Sequence, residues 1–313
     1  MRRVGLGLIV TLLVAMSALA LTFLPQPLPI SMEPLGPLPK ADPPSDMTLS
    51  ILPTGAMVAR AAFAFRGGSF SDERQFVMSA ALVHHPRGDL LIDAGFGRAV
   101  DEHFRSTTPW LLRRFSSYTK GTPVADQLAA AGYPLQRLAG VVITHAHWDH
   151  VSGLPDLTGV PVWMNANERT FVASGASMAS LMRSFTGLTI RQYDWEGGAY
   201  LGFAHSHDFW GDGSVVLVPV PGHTPGSTIV FVNLPSGARY AFLGDLVWQR
   251  EGIEIPAERP WGARTMADEW PSLVRADVSH MAHVHAAFPA MILVPAHDAR
   301  AAAEIPVFPA TRN

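Results

Sequence analysis

The 313-residue chain contains no cysteine. That absence excludes disulfides, thiolate metal ligands, a cysteine nucleophile and a lipidated cysteine anchor. Charge is also scarce: Asp, Glu, Lys and Arg make up 16% of the residues, 23 basic against 26 acidic, for a formal net charge of −3. With no run of basic residues there is no electrostatic footprint for a phosphate backbone, so nucleic acid is not an expected partner. What is present instead is apolar bulk. Hydrophobic residues reach 48%, ample for a substantial core, and eight Trp with 26 Pro suggest apolar surface or an aromatic-lined cleft. The length suits one large domain or two small ones.

The amino terminus is more specific. Arg2 and Arg3 precede 21 uncharged residues, Val4 to Leu24. Such a stretch is long enough to span a bilayer, and with Ala18-Leu19-Ala20 as an A-x-A cleavage motif it reads equally as a signal peptide, with a buried core helix as the lesser alternative to these two. In both readings the arginines stay in the cytoplasm and the rest is exported, to be periplasmic, secreted or anchored. Residues 1–24 are therefore expected to be a signal peptide or N-terminal membrane anchor. Residues 25–46, with eight prolines between Pro25 and Pro44, are expected to be a Pro-rich linker, because proline forbids regular helix or central strand. Residues 47–313 form the folded domain.

Within that domain, Leu49 to Leu52 and Val58 to Phe65 are expected as first strands. Phe76 to His84 and Leu90 to Ile92 flank the turn signal Pro86-Arg87-Gly88-Asp89 and predict a β-hairpin. A helix runs from Thr122-Pro123 to Gly132, with N-cap, N1 proline and terminal glycine. It leads into the β-branched run from Val141 to Thr144. Further strands are expected at Val160–Trp163, Val215–Val220, Thr228–Val232, Tyr240–Leu243 and Met291–Val294, with helices at 167–174, 177–185 and 272–288. The aromatic and Met-rich region from Asn165 to Tyr200 either covers a pocket or packs as ordinary core.

The candidate chemistry lies where apolar runs end. His145-Ala146-His147-Trp148-Asp149-His150 follows Val141–Thr144 and concentrates three imidazoles and a carboxylate in six residues. Along an extended backbone His145 and His147 share a side, while Asp149 and His150 can turn toward a second point nearby. Nitrogen and oxygen ligands of this kind suit Zn²⁺ best, with Fe, Mn or Co as substitutes. Asp93, His223, Asp245 and His297 likewise terminate apolar runs; Asp93 either sits near a site or caps the following turn. His205-Ser206-His207-Asp208 lacks a preceding strand, and His280, His283 and His285 are unevenly spaced on a helix, so packing or surface roles are favoured for both groups.

Taken in order, His145-x-His147-x-Asp149-His150, the loop Gly222-His223-Thr224-Pro225-Gly226, Gly244-Asp245 and the terminal His297 resemble the metallo-β-lactamase superfamily over most of the chain, Met47 to His297. The resemblance implies an α/β fold: an αββα sandwich of two mixed β-sheets flanked by helices, with the metal site at one sheet edge. It implies two divalent ions, the first held by His145, His147 and His223, the second by Asp149, His150 and His297, with Asp245 bridging and Asp93 orienting a ligand. A hydroxide shared by both ions would attack a carbonyl carbon, and Asp149 would protonate the leaving group.

Bridging Asp245 argues against true β-lactamases, and His147 against the flavo-diiron branch. Asp208-x-x-Gly211-Asp212-Gly213-Ser214 followed by the His223 loop and Asp245 is most similar to the N-acyl-homoserine lactonase-like branch. A small-molecule lactone or ester is the implied substrate. A glyoxalase-II-like thioesterase and a mononuclear-iron persulfide dioxygenase are the rival enzymes, and a non-catalytic binding protein the third alternative. One position departs from the branch. Where those lactonases carry a substrate-holding tyrosine this chain has Trp248, whose indole donates but does not accept a hydrogen bond. Trp148 and Trp248 are thus the candidate substrate-pocket residues, Trp148 either narrowing the pocket or packing beneath it.

Overall fold

Runs of Val, Ile and Leu dominate the strands because branched side chains pack well on a pleated surface, and here they fill the space between two sheets. The computed structural model describes residues 2–114 and 116–313, with side chains from residue 11 onward. Strands β1 (Thr48–Arg60), β2 (Glu73–His84), β3 (Asp89–Ile92), β4 (Tyr118–Lys120), β5 (Leu138–Val142), β6 (Val162–Asn165) and β7 (Ile190–Tyr193) form one sheet in the order β4-β1-β2-β3-β5-β6-β7. Strands β8 (His207–Asp208), β9 (Val215–Pro219), β10 (Thr228–Asn233), β11 (Arg239–Gly244) and β12 (Ile292–Pro295) form the second, in the order β12-β11-β10-β9-β8. Both are mixed: β3, β5, β6 and β7 run parallel, as do β11 and β12, while the remaining pairs are antiparallel.

The sheets face each other across a core that includes Leu49, Ile51, Val83, Ile92, Val142, Leu217, Val230 and Phe242. On the outer face of the first sheet lies the helix Val124–Ala130, with Leu128 fully buried. On the outer face of the second lies the helix Pro271–Ala287, which buries Val274, Val278, Met281 and Val284. The architecture is an αββα sandwich, as the resemblance implied.

Local differences have local causes. The two expected first strands are one, β1, bent at a register shift between Pro53 and Gly55, and the chain then turns into the short helix Ala61–Ala64. The irregularity shows in the pairing with β2, whose register the local sequence does not contain. The segment 25–46 lies against the body as a strap. Leu28 N donates to Pro256 O, Ser31 N to Ser279 O and Asp42 N to Asp212 O, while Leu28 and Leu35 pack against the core of the second sheet. The non-proline residues of the segment supply N–H donors to carbonyls of the body, and its leucines pack there, without a ladder of its own. The helix Arg2–Leu21 precedes it. Among the residues with described side chains, no helix is long and apolar enough to cross a membrane.

Candidate metal centre

Strand ends gather the site. Asp93 follows β3, His145 to His150 follow β5, His223 follows β9, Asp245 follows β11 and His297 follows β12, all at one edge of the sandwich. The two sheets are tied together there by Thr228 N, which donates to Thr144 O at 3.0 Å, while Ala296 N donates to Gly244 O at 3.1 Å between neighbouring strand ends of the second sheet.

All seven implied ligand residues converge. His145, His147 and His223 form one group with ligand atoms within 4.8 Å of one another; Asp149, His150 and His297 form a second; His145, His150 and Asp245 form a third that links them. The first three rings stand roughly perpendicular, with centroids 4.5 to 4.6 Å apart, and His145 Nε2 faces His223 Nε2 at 3.2 Å. Asp245 lies between the groups, its Oδ1 at 3.0 Å from His297 Nε2 and 3.3 Å from His150 Nε2, its Oδ2 at 3.3 Å from His223 Nε2. Asp149 Oδ2 is 3.4 Å from His297 Nε2.

The donor set fits divalent cations. His147 Nε2, His150 Nε2 and Asp245 Oδ1 are buried without a hydrogen-bond partner, an arrangement that costs free energy unless something electrophilic takes the lone pairs. Burial, then the neighbouring imidazoles, holds His145 well below the usual histidine range, and burial does the same to His147. Both are therefore neutral, the state a ligand requires. Burial also pulls on His150, but the carboxylates of Asp93 and Asp245 outweigh it and raise that ring well above its ordinary value.

A polar layer behind these residues sets their directions. Asp93, in a left-handed conformation at φ 59°, accepts from Thr144 N at 2.7 Å through Oδ1, and its Oδ2 lies 2.8 Å from His150 Nδ1. Asp268 Oδ1 lies 3.0 Å from His223 Nδ1 and accepts from Arg259 Nη1 at 2.8 Å, while Arg259 Nη2 donates to Asp245 O. Glu168, 1% exposed, joins the two histidine loops: Oε1 accepts from Ala146 N at 2.5 Å, and Oε2 from Thr224 Oγ1 at 2.7 Å and Gly226 N at 3.0 Å. Burial raises its pKa to about 7 against those three donors.

Sequence reasoning missed Glu168, Asp268 and Arg259. Asn165-x-x-Glu168 carries a helix-start signal, and Asn165 Oδ1 does accept from Glu168 N at 3.0 Å. The glutamate side chain, however, turns away from the helix toward the loops. For Asp268 and Arg259 no local pattern marks the role, because their partners are distant in sequence.

The two tryptophans divide. Trp148 stacks on Phe96 at 5.3 Å and packs on Phe104 at 5.5 Å, part of an aromatic cluster with Tyr118 beside the ligands. Trp248 Nε1 donates to Asp245 Oδ2 at 2.8 Å, and its ring lies under the Arg259 guanidinium at 4.4 Å. Its N–H is thus committed to the carboxylate rather than free for a substrate carbonyl.

The other histidine clusters stay outside the site. His207 Nδ1 contacts Asp194 O at 3.0 Å, Asp208 accepts from Gly211 N and Gly213 N, and His280 Nε2 contacts Leu201 O. Met182 and Tyr193 are buried in the core, the plain packing alternative for that region.

The sequence profile of the metallo-β-lactamase superfamily matches residues 75–297, which contain every ligand position. The chain belongs to the metallo-β-lactamase superfamily. A probable metallo-hydrolase of Mycobacterium bovis is 29% identical over 189 residues, 55% of this chain and 57% of that protein. A metallo-hydrolase of Annulohypoxylon moriforme is 24% identical over 195 residues, 56% and 49% of the two chains. The chain thus spans about half the length of the curated relatives it matches. Among solved structures, an N-acyl homoserine lactone hydrolase with N-hexanoyl-L-homoserine at its catalytic metal centre superposes with TM-score 0.65 at 16% identity, covering 85% of this chain and 98% of that one. A dizinc quorum-quenching lactonase superposes with TM-score 0.58 at 14% identity, covering 87% and 92%. These likenesses establish the superfamily's fold.

Proposed function

We propose that this protein is a dinuclear metal-dependent hydrolase, with zinc the best-suited metal, that opens a lactone or cleaves an ester. The observation that carries the reading is the position of Asp245 between the two histidine groups. One carboxylate serves both, as a two-metal site requires. In this reading His145, His147 and His223 hold the first cation, Asp149, His150 and His297 the second, and Asp245 both. Bound there, two cations supply an activated water at neutral pH and a Lewis acid for a carbonyl oxygen.

The chain's own groups do the rest. Asp93 and Asp268 keep the His150 and His223 rings turned to the centre. Asp149, whose side chain is 14% exposed, lies at the solvent side of the cluster; its carboxylate would take the proton released by the attacking water and pass it to the leaving oxygen. The aromatic cluster of Phe96, Phe104, Tyr118 and Trp148 offers an apolar wall to an acyl chain and limits water at the reacting carbonyl.

Trp248 supports a second reading. With its N–H on Asp245, Trp248 does not take the tyrosine's place at a lactone carbonyl, so a glyoxalase-II-like thioester hydrolysis stands beside lactone opening. A panel of acyl lactones, aryl esters, thioesters and β-lactams decides between them, read together with metal content and oxygen uptake. Two metals per chain and lactone or ester turnover lost on chelation are the expected results. Turnover that survives in metal-stripped Asp149→Ala removes the mechanism, and a single iron with oxygen consumption replaces it by a dioxygenase. We further propose that residues 1–24 direct export, placing residues 47–313 beyond the cytoplasmic membrane with 25–46 as connecting segment.

A further inference from the structure

From residue 11 onward, the helix Arg2–Leu21 carries apolar side chains on every side. Every residue from Thr11 to Leu21 is exposed, with Leu12, Leu13, Val14 and Met16 at 57 to 64%. Its root is fastened to the folded body. Arg66 donates through Nε to Leu24 O at 3.2 Å and through Nη2 to Leu21 O at 3.1 Å, and Gly67 N donates to Phe23 O at 2.9 Å. Around this root stands an aromatic collar from the folded body. Phe23 meets Phe63 and Phe70 at centroid distances of 5.9 and 5.0 Å, and Trp261 lines a cleft with Met16 and Leu19. Phe63, Phe70 and Trp261 remain 44, 56 and 52% exposed even so.

A partner protein would need one apolar stripe on this helix; apolarity all round calls for an apolar solvent. The uncharged part of the helix, Val4 to Leu21, is about 27 Å long, close to the thickness of a hydrocarbon layer, and Arg2 and Arg3 precede it. Aromatic side chains at the other end match the headgroup level, where Trp and Phe are favoured. The collar is also joined to the metal centre. Trp261 opens the short helix Trp261–Ala267, which begins just after Arg259 and is capped by Asp268, the two residues that brace Asp245 and His223.

We propose that the collar of Phe63, Phe70 and Trp261 rests on a phospholipid bilayer with the helix sunk in it, and that the enzyme takes amphiphilic acyl esters or lactones from that lipid surface. The substrate half rests on the hydrolase reading above; the collar half does not.

The test uses the full chain in phosphatidylcholine–phosphatidylglycerol vesicles. Lipids brominated at shallow acyl positions should quench wild-type tryptophan fluorescence more than that of Trp261→Phe, the difference being Trp261 itself. Equal quenching in the two proteins, or a detergent-stable dimer that forms through the collar without quenching, overturns the bilayer contact. The kinetic arm compares a long-chain lactone held in the vesicles with a short-chain soluble ester. In the triple variant Phe63→Ser, Phe70→Ser, Trp261→Ser, with circular dichroism and metal content matching wild type, KM for the vesicle-held substrate should rise on the order of tenfold while soluble turnover is unchanged. An unchanged KM overturns the link to substrate. If no ester or lactone is turned over at all, the hydrolase reading and the substrate half fall together, and the quenching arm still decides the collar.

Discussion

Trp248 and Glu168 act on the candidate metal ligands from behind, Trp248 through one hydrogen bond to Asp245 and Glu168 through three to the histidine loops. The indole N–H on Asp245 Oδ2 withdraws electron density from the carboxylate that, in the proposed reading, serves two cations. Trp248→Phe keeps the ring under Arg259 and deletes that bond, worth about 1 kcal/mol. The expected outcome is an altered chelator concentration for half-loss of metal, by a factor of about 5, with Trp248→Tyr closer to wild type; metal competition titrations check it. Glu168→Ala should be worse. It strands Ala146 N, Thr224 Oγ1 and Gly226 N in the interior, each at about 1–3 kcal/mol, and frees both histidine loops at once. Denaturant unfolding should show a loss of several kcal/mol, and the purified protein should carry less metal. Both roles were invisible in the sequence, because an indole reads as pocket lining and a glutamate at a helix start reads as a cap until the third dimension supplies their partners.

Elements matter at their ends. Gly244 closes β11 at φ 51°, and a Cβ there would stand 2.9 Å from Thr144 Cβ, the residue that carries Asp93's hydrogen bonds. Gly244→Ala should therefore cost about 1–2 kcal/mol for the left-handed backbone alone, and should move Asp245 out of register with both histidine groups. A lowered melting temperature with a larger proportional loss of metal is the expected pair of readings; full metal retention would show that the strand end tolerates the shift. Strand positions were legible because branched apolar runs bounded by turn residues leave few alternatives, and the hairpin of β2 and β3 lies where the Pro86–Asp89 signal placed it. Less legible was β1, two expected strands that are one bent strand. A bulge at Pro53/Gly55 is defined by the partner strand's register, which local pattern does not contain.

Across the whole molecule, a metal held by the candidate ligands would act as a rivet between the two sheets, which contribute His145 to His150 and His223, Asp245 and His297 respectively. Removing metal leaves buried imidazoles unpaired at that junction, so chelation should lower the melting temperature by about 5 °C, and added Zn²⁺ should restore it. A separate ionisation affects the opposite flank. Asp277, on the helix Pro271–Ala287, has a buried oxygen without a partner, and burial raises its pKa from 3.8 to about 8. The folded state thus keeps a proton that the unfolded chain gives up. The stability this contributes is complete below about pH 4 and is lost as pH rises through about 8. Asp277→Asn, which stays neutral, should melt higher than wild type at pH 8 and show no such gain at pH 4 in parallel thermal scans.

The candidate ligands were readable in one dimension because metal chemistry restricts residue type, and strand ends restrict position. His145 to His150, His223, Asp245 and His297 stand out as polar endings to apolar runs. The family resemblance followed from their order, as did the expectation of an αββα sandwich. Only the tertiary structure decided what surrounds those ligands. It turned Trp248 toward Asp245, brought Glu168 to both histidine loops, paired Arg259 with Asp268 behind His223, and laid the proline-rich segment along the body. The reason is physical: ligand identity is a property of single side chains, whereas a hydrogen bond between residues tens of positions apart exists only once the sheets have packed and excluded water from between them.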